Sequence, residues 1–306
     1  MIKTDALTKR YGALTAVDAV SFSASPGEVL GFLGPNGAGK TTTMRMLAGF
    51  ISATSGRASI CGHDVDSESL AARNSLGYLP EGAPAYGEMT VRDFLDFIAD
   101  LRHLRGAARA RVASVIERLQ LQSVLGQTIE TLSKGFRRRV GLAQAIIHDP
   151  PVLILDEPTD GLDPNQKHEV RALINDMAPD KTVIISTHIL EEVDAVCTRA
   201  IIISRGRIVA DDTPQGLAAR SRYHNAVSLS LARPEQLPAA EAAVTALPAV
   251  AGVEVDAAQA RLTALPRDGA PLFAALSQLT AAQGIALKEL HLESGRLDEV
   301  FRNITA

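Results

Sequence analysis

The run LGFLGPNGAGKTTTMRML carries the first residues whose types and spacing fix a chemistry. Gly34 is followed after four residues by Gly39, Lys40 and Thr41, between an apolar run and a helical pattern, which is the arrangement of a phosphate loop. Glycines let the backbone wrap a β-phosphate with its N–H groups pointing inward; Lys40 neutralises β- and γ-phosphate oxygens, and the Thr41 hydroxyl suits a Mg2+ shell. Pro35, Asn36, Gly37, Ala38 and Thr42 complete the expected cradle. A Gly-rich turn without a ligand would need neither Lys nor Thr at those places.

A second run, PVLILDEPTDGLD, reads as a buried strand ending in two carboxylates, Asp156 and Glu157. Successive strand residues point to opposite sides, so the two acids are expected to divide the work. Asp156 is assigned to the Mg2+ shell and Glu157 to the attacking water, as general base or water-orienting group. A solvated acidic turn is the ordinary alternative, but the preceding run is too apolar for an exposed strand. A third strand, TVIIST, leads into His188; its carboxyl end is expected beside the phosphate loop, so His188 is expected to touch a γ-phosphate. The other histidines stand in no metal spacing.

One more polar turn opens a helix, in TLSKGFRRRVGLAQAIIHDP. A helix N-terminus behind a small-residue turn is an anion site by default, which singles out Ser133 and Gly135. For Arg137, Arg138 and Arg139 a solvated helix face and a phosphate or partner role are equally open.

These residues need elements to position them, and the chain supplies an alternating pattern. Up to about Gly216, the runs EVLGFLG, VLILDEP, TVIIST and RAIIISRG read as buried strands of a mainly parallel sheet between helices, an α/β architecture. Residues 88–149 read as a mostly helical insert, in which Thr90 and Asp93 have capping-box spacing ahead of Phe94, Phe97, Ile98 and Leu101. Beyond that, the chain becomes Ala-rich and Pro-punctuated. It reads as strand 226–232, helix 234–247, strands near 252–256 and 260–265, helix 270–283 and strand 285–292, a βαββαβ, ferredoxin-like α+β order closed by a helix at LDEVFRNIT. The expected domains are therefore 1–221 and 222–306.

Composition agrees with a two-domain globular chain. It has 306 residues, 46% hydrophobic and 22% charged, with a formal net charge of −4. There is no basic excess for a nucleic-acid partner. Cys61 and Cys197 belong to no ligand spacing and are expected to be reduced. No apolar run approaches the roughly 18 to 20 residues that span a bilayer, so the chain by itself is expected to be soluble.

From Tyr11 to about residue 215 the chain is similar to the ATP-binding subunit of an ABC transporter, on GPNGAGKTT, LSKGFRRRVGLAQA, LILDEP, GLD and STH in the family's order. The resemblance implies a P-loop NTPase core with a helical subdomain, ATP and Mg2+ as ligands, and ATP hydrolysis. It makes Tyr11, in KRYGALTAV, the adenine-stacking aromatic, although a lone Tyr near a turn is more often ordinary packing. Ser133 and Gly135 resemble the family signature, and Asp163 the acid that bridges two subunits. Glu81 ends LGYLPE where most of the family has Gln; it is expected to approach Mg2+ or water while adding negative charge beside phosphates. Lys134 and Phe136 stand where the commonest signature has Gly and Gln.

The resemblance also implies partners. Two such subunits, copies or homologues, would pack head to tail, the signature of each facing the ATP held by the other. A separate integral membrane permease would be received at residues 81–105, which places the chain on the cytoplasmic face of the membrane. LPEGAPAYGEMTV together with LSKGF and the C-terminal appendage is similar to exporters of the drug-resistance, gliding-motility and polysaccharide type. The expected function is to power such an exporter through ATP-driven closing and opening of the dimer. A soluble ABC ATPase with a non-membrane partner would more usually show two cassettes, a long heptad pattern or a basic patch. A small-molecule P-loop kinase would have no use for LSKGF, GLD and STH.

Overall fold

A computed structural model describes residues 1–83 and 85–305. The chain divides into two compact units, Met1–Asp211 and Asp212–Ile304.

The first unit opens with β1 (Ile2–Tyr11), β2 (Leu14–Val20) and β3 (Ser23–Ala24), followed by β4 (Val29–Leu33), helix α1 (Lys40–Leu47), β5 (Ser55–Ile60) and β6 (His63–Asp64). β1 pairs antiparallel with β2, β3 and β5, and β5 with β6, so these strands form an antiparallel sheet separate from the mainly parallel one described below. After α2 (Ser69–Asn74) and β7 (Leu76–Leu79) come the insert helices α3 (Val91–Leu101), α4 (Ala108–Arg118) and α5 (Lys134–Ile146). The core returns with β8 (Val152–Asp156), α6 (Pro164–Met177), β9 (Thr182–Thr187), α7 (Leu190–Val196), β10 (Arg199–Ser204) and β11 (Arg207–Asp212).

The second sheet runs β11-β10-β4-β9-β8-β7, parallel from β10 to β7. Every residue of β4, β8 and β9 is buried, as expected of strands covered on both faces. This continuous burial is why the three runs read as unbroken apolar stretches. It also aims the carboxyl ends of β4, β8 and β9 at one edge, the usual ligand crevice of an open α/β sheet.

The helical insert forms at the place the pattern indicates. Thr90 caps α3, accepting from Asp93 N at 3.1 Å while its hydroxyl donates to the Asp93 carboxylate at 2.7 Å. Phe94 and Ile98 are buried, each contributing roughly 1.5–3 kcal/mol to the hydrophobic term. Phe97 and Leu101, expected on the same buried face, are instead 40% and 60% exposed. They line a groove described below.

The second unit contains α8 (Pro214–Ala218), β12 (Val227–Leu231), α9 (Leu237–Thr245), β13 (Val250–Asp256), β14 (Arg261–Pro266), α10 (Phe273–Ala282), β15 (Leu287–Leu292) and α11 (Leu297–Thr305). Its antiparallel sheet has the order β13-β14-β12-β15 and packs Val227, Leu229, Leu231 and Leu262 against Val244 of α9 and Leu276 of α10. The division at Asp211/Asp212 comes before the boundary expected at 221/222. Residues 212–221 are tied into the second unit: Arg220 pairs with Asp212 at 2.8 Å, and the Ser221 hydroxyl donates to Glu299 of α11.

Candidate functional site

The phosphate loop leaves β4 and closes on α1 through two close backbone approaches. A side chain at Gly34 would stand 2.5 Å from the Ile203 carbonyl, and one at Gly39 2.6 Å from the Ala16 carbonyl. Gly39 also has φ 108, a left-handed value, as it caps α1. The loop backs a cavity of about 310 Å³ lined by Asn36, Gly37, Gly39, Lys40, Thr41 and Thr42, with Ala16, Glu81 and Glu157 on its other sides. The Lys40 ammonium bonds the carbonyls of Gly34 at 2.7 Å and Pro35 at 3.3 Å and stands 3.9 Å from Glu157. Burial pulls its pKa down, with Glu157, Asp156 and Glu81 opposing. Ala38 holds the turn from behind, its N–H donating to Pro35 O at 3.1 Å.

The two adjacent acids separate, though not by strand alternation. β8 ends at Asp156, and Glu157 turns out of the strand with φ 52, a conformation that side-chain-bearing residues adopt rarely. Its N–H donates to the Ser186 carbonyl on β9 at 3.0 Å. Its carboxylate reaches the cavity and meets Nδ1 of His188 at 2.8 Å. Asp156 is fully buried; its Oδ1 accepts from the Ser186 hydroxyl and faces the Thr41 hydroxyl at 3.5 Å. Its Oδ2 is buried without a hydrogen-bond partner among the described residues. Desolvation pushes the Asp156 pKa up. A hydroxyl beside a carboxylate with one unpartnered oxygen is a hard-oxygen set that fits Mg2+.

The remaining expected residues fall into two places. Glu81 lines the same cavity. Tyr11 lies on β1 outside that lining, half exposed, with the Lys9 ammonium 5.2 Å over its ring. Ser133 caps α5, accepting from Phe136 N at 3.3 Å, and Gly135 is so close to Gln166 that a side chain there would stand 2.5 Å from its amide oxygen. Asp163 caps α6 through Gln166 N at 2.9 Å. Ser133, Gly135 and Asp163 are not part of the cavity's lining. Lys134 pairs with Asp160 at 3.0 Å, with its side chain laid over Gly161, where a Cβ would meet its Nζ at 2.0 Å.

Sequence reasoning missed two contributors. Ser186 holds both Asp156 and Glu157, and nothing in a strand residue's type announces that. Arg138 is buried, whereas its neighbours are half-buried: Arg139 pairs with Glu169, and Arg137 donates to the Glu130 carbonyl at 3.0 Å. The equal weighting of a solvated face is therefore corrected for Arg138. Its signal was helical spacing, since 135, 138 and 142 fall on one stripe of α5 and all three are buried.

Comparisons with known proteins bear on this geometry. A family model described as "ABC transporter" matches residues 17–160. The "Probable multidrug ABC transporter ATP-binding protein YbhF" of Escherichia coli (strain K12) is 38% identical over 72% of this chain, which spans only 38% of that protein's length. The "Daunorubicin resistance ATP-binding protein DrrA3" of Streptomyces coeruleorubidus is 36% identical over 99% of this chain and 95% of its own length. Among solved structures, an ATP-binding subunit of an ABC transporter superposes with TM-score 0.67 at 28% identity, over 72% of this chain and 92% of that one. The chain belongs to the ABC transporter family.

Proposed function

We propose that the chain is the ATP-hydrolysing subunit that powers a membrane exporter. The observation that carries this is the convergence of Lys40, Thr41, Asp156, Glu157 and His188 at the carboxyl ends of β4, β8 and β9. In this reading Lys40 neutralises the phosphates, and Thr41 and Asp156, with Glu81 near them, would hold Mg2+, which when bound would supply Lewis-acid charge to the phosphates. Glu157 orients or deprotonates the attacking water, and His188 holds the Glu157 carboxylate and reaches toward the γ-phosphate. Tyr11 stacks on adenine.

Two subunits close head to tail around the nucleotide. Ser133 and Gly135 open α5, Ser133 exposed and neither of them part of the cavity's lining; in this reading they serve the nucleotide bound by a second subunit, and Asp163 lies at the contact between the two. The partner in the membrane docks at residues 81–105, of which Pro84 lies outside the described residues. A groove of about 670 Å³ supports this: it is lined by Phe50, Tyr78, Tyr86, Phe94, Phe97 and Leu101 among others, with Phe50 69% and Tyr86 61% exposed. Exposed aromatics gathered in one groove mark an interaction surface. No helix among the described residues is long and apolar enough to cross a membrane. In this reading the membrane path belongs to a separate permease, on whose cytoplasmic side the chain sits. Residues 222–306 act as an accessory domain.

Purification of the tagged chain from detergent-extracted membranes tests the reading. An integral membrane protein with several hydrophobic spans should copurify, and Phe97→Glu should abolish the association while leaving ATP binding intact. Copurification of ribosomes in its place would contradict the proposal.

A further inference from the structure

Arg138 links three segments of the hydrolytic site, and among the described residues its hydrogen bonds go to backbone carbonyls. From α5 its Nε donates to the Pro158 carbonyl at 3.1 Å, Nη2 to the Asp156 carbonyl at 2.9 Å and Nη1 to the Pro80 carbonyl at 3.3 Å. The side chain is only 5% exposed. Two of the acceptors flank Glu157 in sequence, and the third immediately precedes Glu81. Burying a guanidinium is unfavourable, and desolvation lowers its pKa here; the carboxylates of Asp160, Asp156, Glu157 and Glu81 surround it and offset that cost in part. Glu157 sits between the two gripped carbonyls with φ 52. Such a backbone persists only where its surroundings over-determine it.

We propose that Arg138 is a positioning residue: its guanidinium fixes the turn that presents Glu157, and holds the loop of Glu81 in the same frame as the helix begun by Ser133 and Gly135. The assignment rests on the reading of Glu157 as the hydrolytic carboxylate. A planar fork with several donors matches three carbonyls at different angles, whereas an ammonium or an amide satisfies fewer of them. Loss of the grip lets Glu157 drift from the water it addresses, while the phosphate loop stays as it was.

The test uses the full-length chain with Arg138→Lys, Arg138→Gln, Glu157→Gln and the double variant Arg138→Lys/Glu157→Gln. ATP affinity of the Arg138 variants should stay within about threefold of the parent, while kcat falls about tenfold or more in Arg138→Gln and less in Arg138→Lys. If Arg138 acts through Glu157, Arg138→Lys should add almost nothing to the residual rate of Glu157→Gln, a non-additivity that a general packing role does not produce. An unchanged kcat in either single variant would overturn the proposal, as would equal losses of affinity, kcat and melting temperature or a fully additive double variant. Should Arg138→Gln fail to fold, the Lys variant and its double carry the test alone. Parental turnover in Glu157→Gln itself would instead overturn the underlying reading of Glu157, a result separate from any Arg138 outcome.

Discussion

Nδ1 of His188 lies 2.8 Å from Oε2 of Glu157, across the gap between the carboxyl ends of β9 and β8. With Lys40 3.9 Å from Oε1, both oxygens of the carboxylate have a neighbour that limits its rotation. A carboxylate fixed in this way, 8% exposed at the edge of the cavity, is suited to address one water. Glu157→Gln keeps the shape and removes the base. It should lower turnover by roughly 10²-fold or more and leave ATP binding in place, so that ATP-bound dimers accumulate. Near-parental steady-state hydrolysis would show that Glu157 does not have this role.

Lys40 is expected to fail differently. Its ammonium is 6% exposed and lies among the loop carbonyls, and in the proposed reading it would meet phosphates in the ground state as well as in the transition state. Lys40→Ala should therefore weaken ATP binding itself by tenfold or more, as for a charge-assisted contact of about 1.5–3 kcal/mol. Titration with a fluorescent ATP analogue decides this, and an unchanged dissociation constant would contradict the placement.

The fold also contains a pH-dependent weak point away from the nucleotide. His148, just after α5, has Nε2 3.0 Å from the Leu76 carbonyl and a buried Nδ1 without a partner. Burial, with Arg102 and Lys181 nearby, lowers its pKa from 6.5 to about 4. A native value below the unfolded one means that the unfolded chain takes up the extra proton. Stability from this group is then complete above pH 6.5 and is lost as the pH falls toward 4, by at most about 3 kcal/mol. Denaturation midpoints measured from pH 7 to 4.5 should fall less steeply in His148→Gln than in the parent. Equal slopes would exclude His148 as the source. The Asp149 carboxyl beside it, held below its ordinary value by Lys181, titrates under that window.

The two units should separate at Asp211. The second unit keeps its own core around Leu229, Leu262 and Leu276, and no residue of the nucleotide cavity lies within it. A chain of residues 1–211 should fold and bind ATP within about threefold of the full chain. Loss of binding in a folded 1–211 chain would refute the accessory assignment.

Much of this site was legible because its chemistry is local in sequence. The phosphate loop, Asp156, Glu157 and His188 each follow an apolar strand, and parallel strands must bring their carboxyl ends together. The βαββαβ order of the second unit was legible for a similar reason, since its strands alternate and its helices are flanked by Pro and Gly. What escaped depended on contacts distant in sequence. The antiparallel sheet of β1, β2, β5 and β6 joins local hairpin pairings through β1 and β5, which meet across more than forty residues, as Ile2 with Ile60, and it has no continuous apolar run. Arg138 grips backbone carbonyls, which every residue possesses, and Ser186 meets Asp156 and Glu157 from a neighbouring strand, so residue type alone could not name their partners. Phe97 and Leu101 fit the helical period of α3 yet face outward, because periodicity identifies an apolar face without saying what covers it.

The central claim is that each hydrolytic site is shared between two chains. Ser133 caps α5 outside the cavity that holds Lys40, so the claim makes the two residues complementary in trans. A Lys40→Ala chain mixed with a Ser133→Arg chain forms dimers in which one composite site has both defects and the other has neither. Trapping of nucleotide with a phosphate analogue, in heterodimers shown to form, is the direct measurement. Shared sites predict trapping in the mixture and in neither homodimer; if each signature serves its own chain's nucleotide, every site carries one defect and the mixture traps nothing.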